Sequence, residues 1–99
     1  MIDKELSPSF LTLVSTRDDD GIIGETTVPY NLIRMVPYGT IFTSPRSDGE
    51  NNIVHTWQTA TVYNAYQDDS IQVRVRTHWY NEYGRECMST KFIYVKPKA

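Results

Sequence analysis

Nine residues, Ile71–Trp79 (IQVRVRTHW), alternate in character almost without exception. Ile71, Val73, Val75, Thr77 and Trp79 share one parity. Gln72, Arg74, Arg76 and His78 share the other. Side chains of a strand point to opposite faces in turn, so the segment predicts a strand with a buried aliphatic face and a wet cationic face. Helical spacing would scatter the same residues around the axis. This strand sets the expected fold class, and its polar face is the best functional surface in the chain.

The rest of the chain reads the same way. Ser9–Ser15 is apolar and hydroxyl-rich and predicts a first strand. Arg17–Gly21 (RDDDG) predicts a turn, since Asp accepts local hydrogen bonds and Gly supplies a positive φ. Ile22–Val28 predicts a second strand, interrupted at Gly24. Pro29 and Pro37 bracket Tyr30–Val36, expected as a short edge or bent strand because proline lacks the ladder donor. Thr40–Thr43 follows the Gly39 turn as another short strand. Ser44–Asn52 (SPRSDGENN) carries the longest loop signal. Ile53–Tyr66 is rich in Val, Thr, Tyr and Trp, which suit a pleated surface. Gln67–Ser70 turns the chain into the alternating strand. Asn81–Glu86 forms a hairpin connection with Gly84 at its positive-φ position, and Met88–Val95 closes the sheet. Residues 1–7 and 96–99 are expected to fray.

No segment keeps a helical period behind a cap. About seven short strands separated by turns predict a single all-β domain over residues 1–99. The expected form is a small β-sandwich, with an OB-like or SH3-like barrel as the alternative. A 99-residue chain is of one-domain size. Its formal charge of −2 gives no global attraction for nucleic acid or anionic lipid. The single cysteine, Cys87, excludes an intramolecular disulfide. No apolar run approaches membrane-spanning length, and the N-terminus lacks a signal-like apolar core. These features predict a complete small chain made in the cytoplasm without a signal peptide, a virion being one destination.

From Ala65 onward the chain reads AYQDDSIQVRVRTHWYNEYGRECMSTKFIYVKP. This resembles the last two strands of a fibronectin type III domain over residues 65–97. Ile71, Val73, Arg74, Val75 and Thr77 match the strand pattern, Asn81 and Gly84 the loop, and Val95 and Pro97 the end. Ile71 stands where the family has an aromatic residue, and no early strand carries a Trp. The resemblance implies a two-sheet immunoglobulin-like sandwich with a binding or spacer role and no catalytic residue.

Motifs with chemistry are sparse. Asp18, Asp19, Asp20 and Gly21 suggest a calcium loop, but that register puts Thr16 first and Thr27 last, where carboxylates are needed. His55, His78 and Cys87 are too few and too scattered for a structural zinc site. A Cys87–His nucleophile lacks a glycine-rich elbow nearby. No catalytic residue, cofactor or metal is therefore assigned, and no enzyme activity is expected.

Arg74, Arg76 and His78, with Lys91 as an expected extension, form a local basic stripe. With Trp57, Tyr63, Tyr66 and Tyr80 it could stack bases and neutralise phosphates, although the net charge argues against nucleic acid. Trp57 and surface tyrosines could instead form a sugar platform. Trp79 shares the aliphatic parity and is expected in the core. The aromatic residues in turns point to a contact surface, since Tyr has an apolar body and a polar tip. The interface candidates are Tyr38, Arg46, Asp48, Trp57, Arg74, Arg76, His78, Tyr80 and Tyr83. The expected role is a non-enzymatic structural or interaction subunit with a protein partner, a second copy included. A capsid decoration, tail, adaptor or inhibitor protein would fit. The alternatives are a carbohydrate-binding module and a single-strand nucleic-acid binder.

Overall fold

The computed structural model describes residues 8–17, 21–46 and 54–97. The 1–7 tail, the aspartates of the first turn, Asp48 and the rest of 47–53, and residues 98–99 lie outside the described residues. Within them the order is β1 (Phe10–Thr16), β2 (Ile22–Pro29), α1 (Tyr30–Met35), β3 (Phe42–Thr43), β4 (Thr56–Ala65), β5 (Ile71–Tyr80) and β6 (Glu86–Val95). All pairing is antiparallel, in a six-stranded sheet of order β2-β1-β4-β5-β6 with β3 beside β4. The chain is mostly β, as the alternation in 71–79 predicts.

Tyr30–Val36 departs from expectation: it forms a helix, not a strand. The two prolines, which suit the limits of a strand, suit a short helix equally well. Pro29 sits at the N-cap with an extended backbone, and Val36 before Pro37 is extended too, because a following proline disfavours helical φ/ψ. Tyr30 and Ile33, three apart, are the buried helical pair. The Tyr30 hydroxyl donates to the Asp69 carbonyl at 2.6 Å, which ties α1 to the β4–β5 turn.

The two hairpins flanking β5 have the same construction. Tyr66 N–H donates to the Ser70 carbonyl, and Asp69 N–H returns to the Tyr66 carbonyl. Asn81 N–H donates to Arg85, and Gly84 N–H to Asn81. Asp69 (φ 69°) and Gly84 (φ 76°) occupy the left-handed position that closes a three-residue loop. Side chains preset both turns. Asp68 Oδ1 accepts from Ser70 N–H, and Asn81 Oδ1 accepts from the N–H groups of Tyr83 and Arg85. The pairs 66–70 and 81–85 are thus hydrogen-bonded closures. Counting back from them, even residues of β5 bond to β4 and odd residues to β6.

Parity then decides the faces. Ile71, Val73 and Val75 are buried with Ala60 and Val95. Leu11 and Leu13 of β1, Val28 of β2, and Tyr30 and Ile33 complete this core. Trp79 is only half-buried, because the ladder there has run past the core, opposite Thr56 and Cys87.

β1 reaches this core by crossing it. It pairs with β4 at Thr16↔Thr56 alone, and its other end meets the end of β6, where Lys96 N–H donates to the Pro8 carbonyl at 2.9 Å. As β1 leaves β4, β3 takes over that flank through Thr43↔Thr59 and Phe42↔Ala60. Gln58 bridges the divergence. Its Oε1 accepts from Val14 N–H at 2.9 Å, and its Nε2 donates to Thr77 Oγ1 at 3.1 Å. Ser44, in the loop after β3 as expected, is buried: its N–H donates to the Gln58 carbonyl, and its hydroxyl accepts from Gln58 N–H. The buried Ser15 hydroxyl reaches both Ser44 Oγ and the Pro45 carbonyl.

Two stability predictions follow from this packing. Gln58→Leu leaves the Val14 N–H unpartnered and should cost about 1–3 kcal/mol in urea unfolding. Leu13→Ala, at a site with 0% exposure, should cost about 2–5 kcal/mol, whereas Leu32→Ala on the exposed side of α1 should stay within about 0.5 kcal/mol.

Candidate interaction face

The even-numbered residues of β5 define a face that, among the described residues, no strand or helix packs against and that Arg46 covers at Trp57. Across the three strands its rows are Trp57–His78–Met88, Thr59–Arg76–Thr90 and Thr61–Arg74–Phe92, then Asn64–Gln72–Tyr94, with Tyr80 beside Glu86. A register shift between Val62 and Asn64 leaves Tyr63 as the extra residue of a bulge. Bulges re-aim side chains. Here the Tyr63 ring meets Phe92 edge-on at 4.9 Å and the Arg74 guanidinium at 5.9 Å.

Tyr63, Tyr66, Tyr80, Met88, Phe92 and Tyr94 are each 42–49% exposed. A polar chain holds the tyrosines in place at one end. Gln72 Oε1 accepts from the Tyr66 hydroxyl at 2.9 Å and from Asn64 Nδ2 at 3.3 Å, and Gln72 Nε2 donates to the Tyr94 hydroxyl at 3.4 Å. The rings are thus held at their polar tips while their bodies face outward.

Trp57 behaves differently. It lies on the same face but is only 4% exposed. His78 stacks on it at 5.2 Å and 9°, Tyr80 tilts against it at 5.4 Å, and the Arg46 guanidinium sits 4.0 Å from its ring centroid. Arg46 arrives on the segment after β3, held by Ser44 and Pro45. Trp57 therefore has no open ring face for a sugar. It acts as the packing centre of this face, and the exposed tyrosines are its outward part. The sequence carries no signal for this cover, because Arg46 and Trp57 come from different elements.

Arg74, Arg76 and His78 lie together on this face, as the alternation predicts. Lys91 does not extend it. Lys91 pairs with Val75, so its parity is that of the core side. Thr90 and Phe92 are the neighbours of the arginines on β6. Arg74 Nε, Arg76 Nε and His78 Nδ1 are buried without a hydrogen-bond partner, while His78 Nε2 meets Thr59 Oγ1 at 2.8 Å.

Tyr83 is 80% exposed at the tip of the β5–β6 turn, beside the face. Tyr38 is 77% exposed but lies elsewhere, on the turn after α1. It lines a mostly apolar cleft of about 110 Å³ with Ile33, Val62 and Ile71. Small-molecule sites usually run to roughly 300–1,000 Å³. Tyr38 thus stands apart from the other candidates.

Cys87 and His78 cannot act as a pair. His78 is opposite Met88, so the neighbouring Cys87 projects from the other side of the sheet. The Cys87 thiol is half-buried and lies 3.7 Å from the Arg85 carbonyl. His55 uses its N–H to seal the β1–β4 junction, donating to the Thr16 carbonyl at 2.7 Å. Among the described residues no three His, Cys, Asp or Glu side chains converge as a metal site would require.

Removing the Arg46 cover should expose the indole beneath. Arg46→Ala is expected to red-shift tryptophan emission and raise acrylamide quenching, with a stability loss of about 0.5–2 kcal/mol. Trp57→Phe in the same background should abolish the spectral change. Compared with family models, curated proteins and solved structures, the chain matches none of them.

Proposed function

We propose that this protein is a non-enzymatic structural or interaction subunit that binds a protein partner through the outer face of β4–β5–β6 and the tip of the β5–β6 turn. One observation carries the reading: an ordered, half-exposed array of Tyr63, Tyr66, Tyr80, Phe92 and Tyr94 flanked by Arg74 and Arg76. Aromatic residues and Arg dominate binding energy when a partner excludes water from them. Their polar tips and guanidinium groups can still hydrogen-bond at the rim. The array is preorganised by Gln72 and by the packing of Trp57, so little side-chain entropy is lost on binding.

The fold we infer is a two-layer, immunoglobulin-like one, in line with the resemblance of residues 65–97 to fibronectin type III strands. Leu11, Leu13 and Val28 of the β1–β2 hairpin pack over Val73 and Val75, and β1 joins β4 at a single pair. A binding role on such a scaffold suits a virion decoration, tail or adaptor protein, or a small inhibitor.

A second reading, single-stranded nucleic acid, rests on the unpartnered Arg74 and Arg76 Nε atoms beside Tyr63 and Phe92. It predicts binding of a labelled oligothymidylate that weakens steeply with salt.

Site-specific photo-cross-linking tests the proposal. A benzophenone side chain at Tyr83 or Phe92, introduced into cells that make the chain naturally, should give discrete protein adducts, and the same probe at Thr12 should not. Absence of adducts at both positions, with salt-dependent oligothymidylate binding, transfers the face to the second reading.

A further inference from the structure

We infer that a second copy of this chain docks by antiparallel strand addition at the outer edge of β6, which no described strand pairs, about a twofold axis centred on Thr90. This adds a second surface, the strand edge beside the aromatic face, to the interaction role proposed above and rests on that reading.

The phase of the edge follows from the turns. Asn81–Arg85 is a hydrogen-bonded closure, and β5–β6 pairs run from it in strict register to Ile71↔Val95. Odd residues of β6 therefore bond to β5, and the N–H and C=O groups of Glu86, Met88, Thr90, Phe92 and Tyr94 point away from it. Lys96, the next residue of that parity, confirms the direction, since its N–H goes outward to Pro8. β6 ends the strand order among the described residues, and from Met88 to Phe92 every residue is exposed on both faces.

The opposite edge, β2, is poorly suited to the same use. It is shorter and ends at Pro29, which has no N–H. Its pairing with β1 is irregular opposite Ile22 and Gly24, and Pro45 packs against Gly24 so closely that an added Cβ would lie 3.0 Å away. The ten residues of β6 contain no proline, no bulge and only two charges. Strands of that kind pair with other strands unless something blocks them.

Chemistry selects one register. Two antiparallel copies must keep like parities together, so the axis falls on a residue. Centred on Thr90, Met88 meets Phe92 of the second copy, Glu86 meets Tyr94, and Lys91 meets Ser89. Glu86 also lies diagonal to Lys96 of the second copy, within reach for an opposite-charge contact. Up to about ten outward backbone hydrogen bonds form. Centred on Lys91, the two lysines would stand directly opposite each other in a close pair, which is destabilising. The Thr90 register also lays the aromatic faces of both copies side by side in one continuous sheet.

The test uses the purified full chain. Sedimentation equilibrium should show a dimer of twice 11.5 kDa in reversible balance with monomer. Thr90→Pro removes an outward N–H without touching the β5 ladder. It should raise the dissociation constant at least about tenfold with unchanged circular dichroism, and the urea midpoint should match the parent's at concentrations where both are monomeric. In a Cys87→Ser background, Thr90→Cys should form a disulfide dimer on mild oxidation, since the paired Cα atoms would lie about 5.5 Å apart. Lys91→Cys should not, because its Cα atoms would be about 8 Å apart. A monomer at all concentrations to about 1 mM, or cross-linking at Lys91→Cys in place of Thr90→Cys, overturns the inference. A strict monomer whose Tyr83 or Phe92 probe links to a different protein overturns it while leaving the interaction role in place.

Discussion

β5 is hydrogen-bonded on both flanks over its full length, and the two turns that enter and leave it close in the same way. That double constraint fixes which residues look inward and which outward across three strands. A slip of one residue at either turn would exchange Val73 and Val75 for Arg74 and Arg76 in the core. Burying two guanidinium groups there without partners would cost more than a small domain's stability margin. The Asn81 and Asp68 side chains, which bond their own turn backbones, therefore act on the whole sheet rather than on two loops.

The other structural decision is how β1 leaves the sheet. A strand that parts from its neighbour exposes backbone groups that must be satisfied elsewhere. Here the side chain of Gln58 takes the Val14 N–H, and Ser44 takes over the backbone of Gln58. The consequence is that β1 stays joined to β4 at the single pair Thr16↔Thr56 while Leu11 and Leu13 join the core. The apolar residues of the β1–β2 hairpin are spent on the core side of β5, and among the described residues the aromatic side of β4–β5–β6 stays half-exposed. The packing of the core and the availability of the interaction face are two results of the same divergence.

The parts legible in the sequence are those set by local pattern. The alternation of 71–79 identified the buried and outward sides, and Gly84 marked the closing turn. The helix at Tyr30 was not legible, because proline boundaries and six residues suit either element, and the Tyr30–Ile33 spacing gains meaning only once a core exists to bury it. The side on which Lys91 lies escapes the sequence for a different reason. Its side follows from counting across the 81–85 closure, and nearness to a basic strand says nothing about parity. The cover of Trp57 by Arg46 depends on a contact between separate elements that no periodicity records. The exposed state of Tyr83 was legible because a turn tip has no core to offer.

Natural sheets blunt their edges with prolines, bulges, inward charges or covering segments. β2 uses several of these at once: Pro29, the irregular pairing near Gly24, and Pro45 packed against it. Among the described residues β6 is long and regular and no strand pairs its outer edge, with Lys91 as its sole mid-strand charge. That asymmetry separates a protected edge from one kept for pairing. Lys91 in the middle of β6 then acts as a selector. It repels a copy centred on itself and tolerates one centred a single residue away, opposite Ser89. A charge that would make a poor general deterrent to strand addition is well placed to choose between two adjacent registers, and the register it leaves is the one that brings the outward aromatic rows of two copies together.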